Sequence, residues 1–309
     1  MKILFIADIH IKLGQKNVPR EWQKDRVMKL ADTLNAALDG IDYMVIGGDL
    51  LDVANPSIEE IGLMYSFLSK LQCYGYIIPG NHELQTKTRD CFIHITDLLE
   101  STKFKVIREF TTIDEIDYIP YNILKSDWPT AQSNLAITHV RGRIPPHVEP
   151  EIDLDKYSSY SKVFAGDLHS RTNSQENILY PGSPFTTSFH RSRSSGANGY
   201  FIIDTYNQDH EWVELDLPQL IRKTITSQEE MVATEYDHTI YEIEGTLDEL
   251  AGIQGNSLLS KKVTKDISTP STLDMSGDIV EELATYLKEV RGIQDVPTYI
   301  DLYRSIIHD

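Results

Sequence analysis

The chain has 309 residues, 40% of them hydrophobic, enough for one large core and one or two small appendages at ~100 to 200 residues per domain. Its formal charge of −18, from 29 basic and 47 acidic side chains, excludes a protein that coats nucleic acid with a uniformly basic surface. Cys73 and Cys91 are too few for a disulfide framework and read as small buried apolar residues, and no apolar stretch approaches the ~20 residues that span a membrane.

The first strand starts almost at Met1, so no signal peptide is expected ahead of it, and the cytoplasm is the expected compartment. That strand, residues 3–7, is near-continuously hydrophobic, as a strand covered on both faces should be, and it stops at Asp8 and His10. Trp22, Val27, Leu30, Leu34 and Leu38 then recur at roughly helical spacing, predicting a crossover helix over residues 19–38. A second strand over 43–46 ends at Gly48, Asp49 and Asp52. Asn55-Pro56-Ser57 opens a second helix, with Ser57 as its cap, Glu59 and Glu60 suiting its N-terminus, and Ile58, Ile61, Tyr65, Leu68 and Leu71 on one face. A third strand over 76–78 stops at Gly80, Asn81, His82 and Glu83, and a third helix is expected near 88–99.

From Ile113 the pattern changes to short alternating strands, ending near residues 212–215, without room for regular crossover helices. This favours a second sheet packed on the first. Two of its runs, 135–137 and 163–165, again stop at polar groups: Thr138 and His139, then Gly166, Asp167 and His169.

Five apolar runs thus end in hard oxygen or imidazole donors, at the carboxyl ends where α/β sheets place ligands. A glycine precedes both Asp49 and Asn81, which lets the backbone turn sharply and aim a short side chain into the crevice. The set reads as a two-metal phosphoesterase centre. In this order the motifs resemble those of the calcineurin-like metallophosphoesterases. The stretch from Tyr180-Pro181-Gly182-Ser183 to Phe189, followed by residues 199–204, resembles more narrowly the SbcD-type nuclease subunits of DNA repair, and most closely their phage branch. The likeness covers roughly residues 1–204.

The resemblance implies an α/β fold, a four-layer α/β/β/α metallophosphoesterase sandwich with a small α+β cap and a C-terminal helical pair. It implies two divalent ions, Mn²⁺ first and Mg²⁺ second. Asp49 is expected to bridge them with one oxygen each, Asp8, His10 and His169 to hold one, and Asn81, His139 and Asp167 the other. His82 is the expected general acid, since an imidazole with a pKa near ~6.5 suits proton transfer. Asp52 orients His82 or a ligand, or serves only as a cap, and Glu83 belongs to the turn. One departure is visible: the family usually has Gly-His-x-His where this chain has Gly166-Asp167-Leu168-His169, so a neutral ligand becomes a carboxylate. Arg141, Arg143, Ser183, His190, Arg191 and Arg193, in loops beside the motifs, are the expected contacts to DNA backbone.

Pro218 marks the expected end of a nuclease domain over 1–218. A capping domain over 219–275 follows, with strand candidates at 221–225 and 239–243. Residues 276–309 read as two amphipathic helices, one with Ile279, Leu283, Leu287 and Val290 between an Asp278/Glu281 cap pair and Gly292, the other from Pro297 with Ile300, Tyr303 and Ile307. Residues 221–309 hold eight basic and seventeen acidic side chains, which suits a protein partner better than DNA. The expected partners are DNA, an SbcC-like coiled-coil ABC-type ATPase docked on the helical pair, and a second copy of the chain sharing Met64, Tyr65 and Phe67. The leading reading is the nuclease subunit of an SbcCD-like complex, an exonuclease and endonuclease of recombination, repair and replication. The alternatives are a small-molecule phosphodiesterase or phosphomonoesterase on the same scaffold, and a DNA-binding scaffold weakened by the altered Gly166-Asp167-Leu168-His169 motif.

Overall fold

The computed structural model describes residues 1–126, 128–232, 236–255, 257–263 and 279–307. β1 (Lys2–Ile6), α1 (Arg20–Ala36), β2 (Tyr43–Gly47), α2 (Ile58–Lys70) and β3 (Gly75–Ile78) follow one another with the three strands parallel. A small hairpin of β4 (Leu84–Thr86) and β5 (Arg89–Asp90) and a short helix α3 (Thr96–Glu100) lead to the parallel edge strand β6 (Phe104–Val106). β7 (Thr111–Ile113), β8 (Ile116–Ile119), β9 (Leu135–His139), β10 (Lys162–Gly166) and β11 (Ile178–Leu179) then form a second sheet, in the order β11-β10-β9-β8-β7.

The chain returns to the first sheet where the sequence pattern suggested more of the second. β12 (Gly199–Asp204) pairs antiparallel with β1, from Lys2 opposite Asp204 to Phe5 opposite Phe201, and β13 (Asp209–Glu214) pairs with β12. The first sheet therefore runs β13-β12-β1-β2-β3-β6. The pairing has a simple cause, because without β12 one edge of the buried strand β1 would leave its amides and carbonyls unsatisfied.

Strand alternation sorts the core into three layers of contact. Leu4, Ile6, Met44 and Ile46 pack with Leu30, Leu34, Met64 and Phe67 of the helices, while Ile3, Phe5, Tyr43 and Val45 pack with Tyr118, Ile137 and Phe164 of the second sheet. On the far face of that sheet, Ala136, Val163 and Ala165 are covered by Leu124, Tyr157 and Tyr160, with Trp128 against them. The four layers are present, but the fourth is made of loops and short 3₁₀ turns such as Tyr121–Ile123 and Leu154–Tyr157 instead of α-helices.

Two helices differ from the expectation. α2 buries Glu60, Leu63, Met64, Phe67 and Leu68, while Ile58 is 88% exposed. Glu60 sets this rotation: it closes a reciprocal capping box with Ser57 and also accepts the Leu13 amide at 2.9 Å, so its face must turn inward. Met64 and Phe67 are consequently core residues of their own chain, not a surface for a second copy. The helix expected over 88–99 is interrupted, because Asp90 is buried in an ion pair with Arg108 at 2.8 Å and the Cys91 amide donates to Glu83 O. A 3₁₀ turn, Cys91–Ile95, fills the gap before α3.

β14 (Leu220–Ile225), β15 (His238–Gly245) and, after the short helix α4 (Leu247–Ala251), β16 (Leu259–Val263) make a three-stranded sheet. The chain divides into two compact units, residues 1–242 with 256–260, and residues 243–255 with 261–309. Within the second, α5 (Ile279–Thr285), extended by a π-helical turn over Tyr286–Val290, packs on α6 (Val296–Ile307). Asp278, half of the expected cap pair, lies outside the described residues.

Ser57→Ala should remove the first-turn cap of α2 and lower stability by about 1 kcal/mol, read as a shift of the urea midpoint with unchanged slope.

Candidate metal centre

The carboxyl ends of β1, β2, β3, β9 and β10 bring Asp8, His10, Asp49, Asn81, His139, Asp167 and His169 together although two sheets supply them. The backbone is strained to do so: Asp8, His10, Asp49 and Asp167 all have positive φ, at 58°, 49°, 50° and 100°. Such conformations cost of order 1 kcal/mol or more each and persist where the surrounding structure over-determines them. Gly48, at φ 94°, makes one of these turns possible, and a Cβ there would lie 2.2 Å from the His139 ring. Gly80 acts by closeness instead, since its Cβ would meet the Asp49 carboxylate at 2.2 Å.

Asp49 sits at the middle. Its Oδ2 is 3.6 Å from His10 Nε2 and 3.5 Å from His139 Nε2. Its Oδ1 accepts the His82 amide at 3.0 Å, and Oδ2 lies between the two groups of donors. On one side, His10 Nε2 and His169 Nε2 approach to 3.0 Å, and Asp8 completes a cluster with them. On the other, Asn81 meets His139 Nε2 at 2.9 Å; the same amide atom is 3.3 Å from Asp49 Oδ2 and 3.3 Å from Asp167 Oδ1. With the amide oxygen in that position four acceptors converge, an arrangement that a cation makes favourable.

The electrostatics agree with a cation site. Burial raises the Asp8 carboxyl well above its ordinary pKa, and the charges of Asp49 and Asp167 add to this. Burial also opposes ionisation of Asp49, but His139, His10 and His82 around it more than offset that and hold it far down. His139 donates Nδ1–H to Gly47 O at 2.9 Å, which leaves Nε2 aimed at the carboxylates. Burial disfavours its protonation, yet Asp49, Asp8 and Asp167 together lift its pKa well above the usual value. A nitrogen so placed takes a cation, be it proton or metal. His169 is different: burial and His10 push it down to about 4, so it is a neutral donor.

Asp52 Oδ2 is 2.6 Å from Lys12, and its Oδ1 lies 3.3 Å from His10 Nδ1 without a hydrogen bond, a charge contact beside that ring. His82 is held by the Asp52 backbone carbonyl instead, at 2.6 Å from Nδ1, with its Nε2 4.0 Å from Asp49 Oδ2. The His82 side chain is 39% exposed, against 4% for His10 and 0% for His139. His10, Asp52 and His82 also form a donor group of their own.

The residues expected to meet DNA are mostly occupied. Arg141 makes a two-point ion pair with Asp167, at 3.1 and 3.2 Å, Arg143 pairs with Glu149 at 3.3 Å, and Arg193 is clamped between Asp216 at 2.5 Å and Asp237 at 2.9 Å. Ser183 is 1% exposed, with Oγ 2.7 Å from both Asp8 O and Phe185 O, so it shapes the Asp8 turn and presents nothing to a ligand. Arg191 and His190 are exposed, the first donating to Thr224 Oγ1 and the second 3.3 Å from Ser188 Oγ.

Glu83, which the sequence offered only as a turn residue, has a larger part. It is fully buried, and its carboxylate accepts the amides of Asp49 at 3.1 Å, Leu51 at 2.8 Å and Gly80 at 2.8 Å. Burial and the Asp49 charge push it up to about 8 against the pull of those amides. Glu83→Gln should therefore set an NH₂ group against backbone donors, cost about 1 to 3 kcal/mol, and weaken Mn²⁺ binding. Thermal unfolding and metal titration of the variant check both effects; unchanged metal affinity would separate the loop scaffold from the donors.

The calcineurin-like phosphoesterase family matches residues 1–179. The probable exonuclease subunit 1 of Escherichia phage T5 is 49% identical over 305 residues, covering 95% of this chain and 94% of that protein. A putative phosphoesterase of Invertebrate iridescent virus 6 is 26% identical over 219 residues, 63% of this chain and 74% of the viral one. The DNA double-strand break repair protein Mre11 of Methanopyrus kandleri is 25% identical over 266 residues, 70% of this chain and 57% of the archaeal protein. The matched residues include the four parallel strands of the first sheet, the whole second sheet and every strand end that carries a donor, and the chain accordingly belongs to the calcineurin-like phosphoesterase family.

Proposed function

We propose that the chain is the nuclease subunit of an SbcCD-like complex, hydrolysing DNA phosphodiester bonds as an exonuclease and endonuclease in recombination, repair and replication. The observation that carries this is Asp49 Oδ2, set 3.6 Å from His10 Nε2 and 3.5 Å from His139 Nε2, between two groups of buried donors. Asp8, His10 and His169 would hold one divalent ion and Asn81, His139 and Asp167 the other, with Asp49 available to both. Mn²⁺ is the preferred ion and Mg²⁺ the second. When bound, such ions neutralise phosphoryl charge and acidify water.

The chain's own groups do the rest. Asp52 sets a carboxylate charge beside His10, and Glu83 fixes the two loops that carry Asp49 and Asn81. His82, half-exposed and anchored through Nδ1, donates its Nε2 proton to the leaving oxygen. The T5 relative is named an exonuclease subunit and the Mre11 relative a DNA break repair protein, which supports a DNA-acting assembly. In this reading residues 1–218 are the nuclease domain, 219–275 a cap, and 276–309 the dock for an SbcC-like coiled-coil ATPase, with a second copy of the chain completing a homodimer. Its compartment is the cytoplasm of the bacterial or phage-infected cell; no helix among the described residues is long and apolar enough to cross a membrane.

Purified protein with Mn²⁺, assayed on linear duplex, single-stranded DNA and an aryl phosphodiester, tests the reading. Turnover of the aryl ester alone would make it a small-molecule phosphodiesterase, and DNA binding without turnover a scaffold.

His82→Ala should keep both ions yet slow DNA cleavage by roughly 10²- to 10⁴-fold, with less effect on aryl esters, whose leaving groups need no proton. Metal loss equal to that of His139→Ala would make His82 a ligand instead.

Deleting residues 276–309 should spare metal binding and hydrolysis of a small diester while abolishing association with the ATPase subunit. Ile279, Tyr299 and Leu302, exposed at 64%, 48% and 58%, supply the apolar surface for that contact. Undiminished co-purification of the truncated chain would leave local packing as the role of this segment.

A further inference from the structure

Two cavities reach the donor cluster, and their chemistry differs. One, of 480 Å³, includes Asp167, His169 and His190 and is otherwise lined by hydroxyl, amide and apolar side chains, with no lysine or arginine among the described residues. The other, of 510 Å³, starts at Asn81 and Leu84 and is lined by Thr86, Lys87, Thr88, Tyr121, Asn122, Lys125 and Ser126. In a chain with 47 acidic residues, the described residues of its lining include two lysines and no carboxylate. Its size is within the ~300 to 1,000 Å³ of small-ligand sites.

We infer that this second cavity is a subsite for the sugar–phosphate backbone of a DNA strand next to the scissile phosphate, with Lys87 and Lys125 contacting phosphates. The inference rests on the nuclease reading above and adds to it the path of the strand.

The cavity has fixed walls. Lys87 stands at the tip of the β4–β5 hairpin, which follows directly on the Asn81-His82-Glu83 turn. The hairpin is pinned at its base by the Asp90–Arg108 ion pair and along its side by Gln85, which donates to Ala54 O at 3.2 Å. The opposite wall, the turn Tyr121–Ile123, is tied to the same segment, since Asn122 donates to Arg108 O at 3.0 Å. Tyr121 continues the wall to the metal centre, its ring edge-on to His139 at 5.9 Å and its hydroxyl bonded to Glu151 at 2.5 Å. Lys125 stands 3.5 Å from Glu151, a 67% exposed ammonium beside a carboxylate that already accepts the Tyr121 hydroxyl. Such a pair is weak in water and exchanges readily for a phosphate. Arg141 and Arg193, by contrast, are each held by two or more bonds to nearby acids.

The test uses the full chain, a labelled single-stranded oligonucleotide and a small aryl phosphodiester, comparing wild type with the Lys87→Ala/Lys125→Ala double variant. Losing two phosphate contacts should flatten the slope of log affinity against log salt by roughly 1.4, at ~0.7 per contact for single strands. KM for the oligonucleotide should rise about tenfold at low salt with kcat held, hydrolysis of the aryl ester should stay within about twofold, and Lys87→Arg/Lys125→Arg should restore the slope. An unchanged slope overturns the subsite, as does a parallel loss of aryl ester hydrolysis, which would mean that the lysines act through the centre itself. Wild-type protein that binds the oligonucleotide with the expected slope but never cleaves it would overturn the nuclease reading alone.

Discussion

Everything at the centre hangs on one buried carboxylate, that of Glu83. Its oxygens collect the amides of Asp49, Leu51 and Gly80, and so lock the loop after β2 to the loop after β3. The arrangement leaves these backbone donors satisfied without a strand or helix to satisfy them, which is what allows two sharp turns to be buried side by side. Asp49 keeps its positive φ only inside that clamp, and the approach of Gly80 to the Asp49 side chain requires it. A similar device holds the other two loops: both oxygens of Asp8 receive the Asp167 amide, at 2.9 and 3.1 Å, so the end of β1 is joined to the end of β10 in the second sheet.

Much of this was legible in the sequence, and the reason is local. Each donor follows directly on a short apolar strand, so strand and ligand are read together, and the glycines before Asp49 and Asn81 announce their turns. What stayed hidden was set at long range. The rotation of α2 depends on Glu60 reaching Leu13, 47 residues away, and helical spacing of apolar residues alone placed Leu68 and Leu71 correctly but not Ile58 and Tyr65. The return of β12 and β13 to the first sheet depends on the open edge of β1, which no pattern within residues 199–215 encodes. The role of Glu83 as a clamp was equally hidden, because a glutamate one residue after His82 reads only as part of the turn until the neighbouring loop is packed against it.

The basic loops teach the same lesson about charge. Counting arginines beside the motifs suggested a track for DNA, but a guanidinium near a carboxylate in a half-buried loop is usually consumed by it, and a two-point pair is hard to displace. Arg193, between Asp216 and Asp237 and donating also to Leu217 O, joins the segment after the Ser183 turn to residues 216–237 and is best understood as a structural rivet. An acidic enzyme can still attract a polyanion if the few uncommitted cations are concentrated where the substrate must lie.

Arg141 has a different meaning, because its partner is one of the proposed donors. An aspartate at position 167 adds a negative charge where the family resemblance led one to expect a neutral imidazole, and this by itself would make the centre less attractive to phosphate. The two-point pair with Arg141 cancels that charge at 3.1 and 3.2 Å. Three carboxylates less one guanidinium leave the same two net negative charges as Asp8 and Asp49 with an imidazole. Burial makes the cancellation effective on the acid side, where Asp167 is only 4% exposed, while Arg141 at 43% keeps one flank open to solvent. Asp167 and Arg141 are thus one electrostatic unit spread over two strand ends, and the pairing keeps the charge near this strand end close to what a neutral imidazole at 167 would leave.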